Sequence, residues 1–316
     1  MNNSPDGQKI IFLMPAFNDR DSLKLLIPKI KEAASGRQLE VFLVDDGSTR
    51  DVCDVDLLLD NELFGCVLEL RANVGQQVAI ATGLELIHSK MGESDLLVVM
   101  DSDGEDPPHA INNLINKANE VNKPVVASRS GRSTTLAFMF GYQVFKVMFY
   151  VLTGRSINFG NYMCLNRDVI ERLLAMPSLP HSLPSTLLLS KLPIERLPVT
   201  RSKRLLGKSH MNVTGLVQHG IGCIRVFSKD VVIRLALMSL LLVLCLCLTA
   251  FAILSIRLNG IAVPGWASLA LGLVGIFILQ ILGFLFLAAI TESDQQHGLS
   301  GDITNMNNVK RVTYTK

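Results

Sequence analysis

Charge is scarce in this chain. Of its 316 residues only 18% are Asp, Glu, Lys or Arg, against about 25% in an average soluble domain. The net charge of +2 is too small for the basic footprint of a nucleic-acid-binding protein. Cysteine is sparse and unpatterned. The six, at positions 53, 66, 164, 223, 245 and 247, form no CxxC and no metal-ligand spacing, which argues against a disulfide framework and for reduced thiols in a cytosolic setting. A signal-peptide pattern is lacking too: the first apolar run, Ile10 to Met14, is only five residues and reads as a strand. What is abundant is apolar side chain. At 49% hydrophobic residues and a mean hydropathy of +0.35, disorder is excluded, and part of the chain calls for lipid. The length allows one large domain or two ordinary ones, at roughly 100–200 residues each.

The apolar excess sits near the C-terminus. Leu235 to Ile256 is 22 residues without a charge, and Leu258 to Thr291 also has none. A helix of about 20 apolar residues spans a bilayer. The link, Arg257 to Gly265, holds Asn259, Gly260, Pro264 and Gly265. The expectation is a membrane hairpin, with spans at 231–257 and 266–290; the plainer alternative is a pair of buried core helices. Basic residues predict the orientation. Lys191 to Arg234 carries nine Lys or Arg and two acids, the link carries only Arg257, and the tail 291–316 is balanced. Residues 1–230 and the tail are therefore expected on the cytoplasmic side of an inner or plasma membrane. Two further segments, about 134–152 and 211–229, read as helices at the membrane interface. A buried helix against the sheet is the alternative for the first. His210 and His219 are nine apart, a poor metal spacing.

From residue 8 to about 130, strand and helix signals alternate. Lys9–Met14, Val41–Val44, Cys66–Leu70, Asp95–Met100 and Pro124–Ala127 read as strands, and Ser22–Ala34 and Gln77–Ser89 as helices. This order predicts an α/β domain with a mostly parallel sheet. Ligands of such sheets lie beyond the carboxyl ends of the strands. Three polar clusters fall there: Pro15–Asp19, Asp45–Ser48 and Asp101–Asp106.

The last cluster is the most informative. Asp101, Asp103, Glu105 and Asp106 stand within six residues, and so many acids repel one another unless a cation or water compensates them. Hard carboxylate oxygens suit Mg²⁺ or Mn²⁺, and Mg²⁺ commonly combines one or two carboxylates with substrate phosphates. A solvated acidic turn before Pro107-Pro108 is the alternative. Asp45-Asp46-Gly47-Ser48 suits recognition of a base or ribose, or an ordinary strand-to-turn junction.

Taken in order, Pro15-Ala16-Phe17-Asn18-Asp19, Val44-Asp45-Asp46-Gly47-Ser48 and Met100-Asp101-Ser102-Asp103-Gly104-Glu105-Asp106-Pro107-Pro108 resemble the motifs of family 2 glycosyltransferases with the GT-A fold. The branch most similar is that of the polyprenyl- and dolichyl-phosphate sugar synthases, which often carry a C-terminal membrane hairpin. Ala72-Asn73-Val74-Gly75 resembles that branch's Arg-Asn-Phe-Gly, with Arg71 one place early. Arg204-Leu205-Leu206-Gly207-Lys208-Ser209 resembles its Arg-x-x-Gly-x-Ser. The resemblance implies a GT-A catalytic domain. Pro15, Phe17 and Asp19 would border the nucleoside, Asp46 would meet the base with Asp45 nearby, and Asp101, Asp103 and Glu105 would hold Mg²⁺ or Mn²⁺ against the donor diphosphate. Arg204, with Arg129 and Arg132, would meet phosphate charge, and Ser209 would line the same loop. Arg201 and Lys203 are divided between this site and a basic face toward anionic lipid.

One departure bears on mechanism. The relatives' Gly-Asp-Phe or Gly-Asp-Tyr is here Gly160-Asn161-Tyr162, and Asn is no general base. A phosphate monoester, with a second pKa near 6, is largely dianionic at neutral pH and needs no base, whereas a sugar hydroxyl does. Asp106 remains an alternative acid or base. The implied activity is inverting transfer of a sugar from a nucleotide donor, UDP-linked by preference, to a polyprenyl phosphate at the membrane, with no nucleic-acid partner and in a chain that associates with copies of itself. Transfer to a hydroxyl of a lipid or glycan, and a non-catalytic membrane scaffold on the same fold, are the other readings.

Overall fold

The computed structural model describes residues 7–129, 136–206, 213–259, 265–298 and 305–315. Two compact units emerge, one of residues 1–143, 157–226 and 304–316, the other of 144–156 and 227–303.

The first unit is built on one eight-stranded sheet. Its strands are β1 (Lys9–Ala16), β2 (Gln38–Asp45), β3 (Phe64–Leu70), β4 (Leu96–Val99), β5 (Val125–Arg129), β6 (Phe159–Asn166), β7 (Glu195–Val199) and β8 (Val309–Tyr314), in the spatial order β7-β5-β6-β4-β1-β2-β3-β8. The pairs β1–β2, β1–β4, β2–β3 and β5–β7 are parallel, as the alternating pattern predicts. Runs such as Ile10–Met14 and Val41–Val44 are apolar at every position because the sheet is covered on both faces. One face packs on α1 (Arg20–Ala33) and α4 (Ile111–Val121), the other on α3 (Gln76–His88), α6 (Arg167–Leu174) and α7 (Leu183–Leu189). The short α2 (Asp56–Leu59) precedes β3.

Two strands run against the rest. β6 is antiparallel to β4, with Val99 opposite Met163. Its first residues, Phe159 to Tyr162, therefore lie at the rim where β1, β2 and β4 end. β5 and β7 also end at this rim, with Ser128 opposite Phe159 and Arg129 opposite Val199. β8 is antiparallel to β3. The tail, for which the sequence predicts only a cytoplasmic location, thus supplies the strand at one edge of the sheet.

In the second unit, α9 (Ser228–Leu258) and α10 (Trp266–Gly298) pack side by side. Both contain stretches long and apolar enough to cross a membrane, with mean hydropathies of 2.8 over an 18-residue stretch within Ser228–Leu258 and 2.2 over one within Trp266–Phe284. Leu240, Leu248, Phe251, Leu269, Leu279 and Phe284 are all exposed, so these are not core helices of a globular fold. The segment expected at 134–152 is a helix, α5 (Leu136–Thr153), and that at 211–229 is α8 (Val213–Arg225) followed by the start of α9. Within the second unit Phe149 is buried edge-on against Phe227, while Val147 and Tyr150 are exposed.

Candidate active site

The acids after β4 and the basic stretch after β7 meet because both strands end at one rim. Backbone bonds knit the two segments, from Ser202 N–H to the Glu105 carbonyl (2.9 Å) and from Leu205 N–H to the Asp103 carbonyl (3.0 Å). Gly104 sits at φ +78°, and a Cβ there would lie 2.5 Å from Leu205 Cγ, so glycine lets the acid loop lie against its partner.

The side chains complete the join. Arg201 donates to Glu105 Oε2 (2.6 Å) and Asp101 Oδ2 (3.1 Å) and lies 3.6 Å from Asp106 Oδ1. Arg204 lies 2.6 Å from Asp103 Oδ2, 3.8 Å from Glu105 Oε1 and 4.0 Å from Asp19 Oδ1. Gln76 Nε2 donates to Asp101 Oδ1 (2.6 Å), and the Asp101 N–H donates to Asp106 Oδ2 (2.9 Å). Five carboxylates therefore share two guanidinium groups. Burial, then the nearby Asp101 charge, pushes Asp103 up to about 6. The same two causes hold the deeply buried Asp106 well above the usual carboxylate range.

Across the sheet, loops after β1, β2 and β3 form the other half of the rim. Asp46 accepts from Val74 N–H (2.8 Å) and Gly75 N–H (3.0 Å), and burial raises its pKa to about 6 despite these bonds. Gly47, at φ +68°, makes that approach possible: a Cβ there would stand 2.4 Å from the Ala72 carbonyl carbon. Asp45 is turned inward, accepting from Ser48 N–H (2.7 Å) and Cys53 N–H (2.8 Å). Asn18 ties the first two loops, accepting from Thr49 and Arg50 N–H.

Most of the residues singled out from sequence thus gather at one rim. Pro15 is buried within β1, and Phe17 is partly exposed just beyond it. Asp19, expected beside a nucleoside, accepts from Ser102 Oγ (3.0 Å) next to the acid loop. The Asp45 carboxylate is committed to its own turn. Arg132 and Ser209 lie outside the described residues, as does the side chain of Arg129. Arg201, left undecided by the sequence, bridges three acids. Its signal was its distance from a strand end, legible only once β7 is recognised. Gln76 and Gln77 carried no signal in the sequence.

Asp101, Asp103 and Glu105 do not stand as a ready-made trio. Among the described residues no three His, Cys, Asp or Glu side chains are arranged to hold a metal, because guanidinium groups lie between these carboxylates. Their chemistry still fits a hard divalent cation of the kind that takes one or two carboxylates and fills its shell with phosphate oxygens.

A small pocket opens beside the acids, lined by Asp106, Pro107, Ala127, Gly160, Asn161, Tyr162, Val199 and Arg201. It lies over β5, β6 and β7, away from the Asp46 side of the sheet.

A family model described as glycosyl transferase family 2 matches residues 11–174, slightly more than half of the chain. This chain belongs to that family. Strands β1 to β6, the acid loop and the loops after β1, β2 and β3 fall within or at the edge of the matched residues. Among curated relatives, an undecaprenyl-phosphate 4-deoxy-4-formamido-L-arabinose transferase of Klebsiella pneumoniae strain 342 is 26% identical over 294 residues, 90% of this chain and 85% of that protein. A Yersinia enterocolitica protein of the same name is 28% identical over 182 residues, where the match spans 55% of this chain and 54% of the relative, about half of its length. A crystal structure of glucosyl-3-phosphoglycerate synthase from Mycobacterium tuberculosis, with Mn²⁺, UDP-glucose and phosphoglyceric acid, superposes with a TM-score of 0.51 at 15% identity, covering 71% of this chain and 80% of that one. The likeness establishes the GT-A fold of this family 2 glycosyltransferase.

Proposed function

We propose that this family 2 enzyme moves a sugar from a nucleotide-sugar donor to a polyprenyl phosphate at a membrane surface. The observation that carries the reading is the extent of the match to the Klebsiella relative: 90% of the chain, and so the apolar helices as well as the sheet. A water-soluble acceptor gives no reason for two exposed apolar helices, whereas a lipid phosphate keeps its tail in the bilayer and its head at the interface. α8 precedes α9 and β8 follows α10, so a two-span hairpin returns the chain to the side on which it started. The excess of Lys and Arg from 191 to 234 supports a cytoplasmic location for that side. On this reading α5 and α8 rest at the interface, with Val147, Tyr150, Val217 and Ile221 exposed toward it.

In the proposed reaction an acceptor phosphate oxygen forms a bond to the anomeric carbon as the bond from that carbon to the donor diphosphate breaks. The electron pair leaves with the diphosphate. Asp101, Asp103 and Glu105 would hold Mg²⁺ or Mn²⁺, which supplies positive charge to the departing diphosphate. Arg204 and Arg201, released from the acids they bridge, are placed to bind phosphate oxygens with their planar forks. Asp46 organises the Val74–Gly75 turn on the nucleoside side. No proton need be taken from a dianionic acceptor, which suits Asn161 at the place where a base would otherwise stand.

The test is a screen of radiolabelled nucleotide sugars, UDP-linked first, with undecaprenyl phosphate and the full-length protein in detergent. Label is expected in the lipid phase with Mn²⁺ or Mg²⁺ and not with EDTA. Transfer to lipid hydroxyls alone would overturn the reading.

A further inference from the structure

Asn161 has a defined amide orientation. The Leu183 backbone N–H donates to Gln77 Oε1 (2.7 Å), and Gln77 Nε2 donates to Asn161 Oδ1 (3.1 Å). A backbone N–H can only donate, so Gln77 must turn its oxygen toward Leu183 and its NH₂ toward Asn161. Asn161 must then answer with its oxygen. Gln77 and Asn161 are both buried, which leaves little freedom to reverse the order. The Asn161 Nδ2 group makes no hydrogen bond among the described residues, and Asn161 lines the pocket beside the acid loop.

The other polar groups of that pocket are already engaged. Asp106 accepts from the Asp101 N–H and lies against Arg201. Tyr162 donates its hydroxyl to the Pro107 carbonyl (3.0 Å). The pocket therefore offers an incoming group the Asn161 N–H donors, joined by the Arg201 guanidinium once it is released from the acids it bridges. It also lies on the far side of the acid loop from Asp46, so a diphosphate held at the acids would have its nucleoside over β1 and β2 and this pocket on the opposite flank.

We propose that Asn161, oriented by Gln77, donates a hydrogen bond to the phosphate of the acceptor. This rests on the reading of the acceptor as a lipid phosphate. Asn161 is the contacting residue and Gln77 a positioning residue. Asn161→Asp keeps the shape and the bond from Gln77 but replaces the donors with a second carboxylate oxygen next to Asp106. Gln77→Glu substitutes no residue of the pocket lining. Its carboxylate still accepts from Leu183 N–H, and it now requires Asn161 to donate toward it, so the Asn161 oxygen swings to the pocket.

The experiment is calorimetric titration of the full-length protein in detergent with farnesyl phosphate, farnesol and UDP, together with acceptor KM and kcat on undecaprenyl phosphate. Both variants are expected to bind farnesyl phosphate about tenfold or more weakly and to raise acceptor KM more than they lower kcat. UDP binding should stay within about twofold, which reports an intact fold. Gln77→Asn/Asn161→Gln, which exchanges the two amides, is expected to recover part of the loss. If the wild-type protein glycosylates undecaprenyl phosphate and both variants bind farnesyl phosphate as it does, the role of Asn161 is overturned while the acceptor reading stands. If the wild-type protein binds farnesol as well as farnesyl phosphate, the acceptor reading fails and this inference with it.

Discussion

Asp103 concentrates the electrostatics of the rim. It is buried, faces Asp101 and Glu105, and has Arg204 as its compensating charge. A carboxylate held up at about 6 is half-protonated there, and a proton competes with any cation. Activity and Mn²⁺ affinity are therefore expected to rise with pH through about 6, with apparent affinity falling about tenfold for each unit below it. Arg204→Gln removes a lowering influence, so the midpoint of the pH–activity curve should move upward; a midpoint that stays or falls contradicts the assignment. Asp103→Asn is expected to cost about a hundredfold or more in kcat, measured with saturating donor. The acids themselves were plain in the sequence. Arg201 was not, because a basic residue in a basic stretch looks the same whether it faces lipid or a carboxylate. Asp45 and Asp46 stand side by side in the sequence, yet the pleat points them to opposite tasks, one into its own turn and one across to Val74 and Gly75. Gly47→Ala brings a methyl into the Ala72 backbone at a positive φ. It is expected to cost about 1–3 kcal/mol or more, read as a lowered Tm together with weaker UDP binding.

At the scale of elements, the strands legible from sequence are those buried on both faces. β1 to β5 announce themselves as short runs of Ile, Leu, Val and Phe. β6 is interrupted by Gly160 and Asn161, β7 carries Pro198 and alternates half-exposed residues at the sheet edge, and β8 reads Val-Lys-Arg-Val-Thr-Tyr after a membrane span. None has the continuous apolar signature, because edge and functional positions answer to other demands. β8 nevertheless packs Val309 and Val312 against the core and pairs Lys310 and Arg311 with Glu69. A chain ending at residue 304 would lose those contacts, roughly 2–3 kcal/mol at ordinary values for apolar burial, and would leave β3 as an open edge. The expected result is a Tm lower by about 5–10 °C and concentration-dependent aggregation in detergent, both followed by light scattering during a thermal ramp. A truncated protein as stable as the full chain would show that β8 contributes nothing to the sheet.

For the whole molecule, composition already pointed to lipid, and the apolar surface of α9 and α10 agrees with it. What composition could not reveal is that the sheet is finished by residues on both sides of the hairpin. Sequence locates a strand by its own side chains, but pairing over such a distance is decided by which edge remains open. Carbonate washing of membranes is expected to leave the protein in the pellet, whereas release into the supernatant would contradict a spanning hairpin. The account's central claim joins the acid rim to a lipid-phosphate acceptor, and the linkage in the product tests it most directly. Sugar joined through phosphate leaves its anomeric carbon activated, so brief treatment of the purified lipid product with dilute acid should release free sugar and polyprenyl phosphate. Recovery of an acid-stable glycoside would contradict the claim.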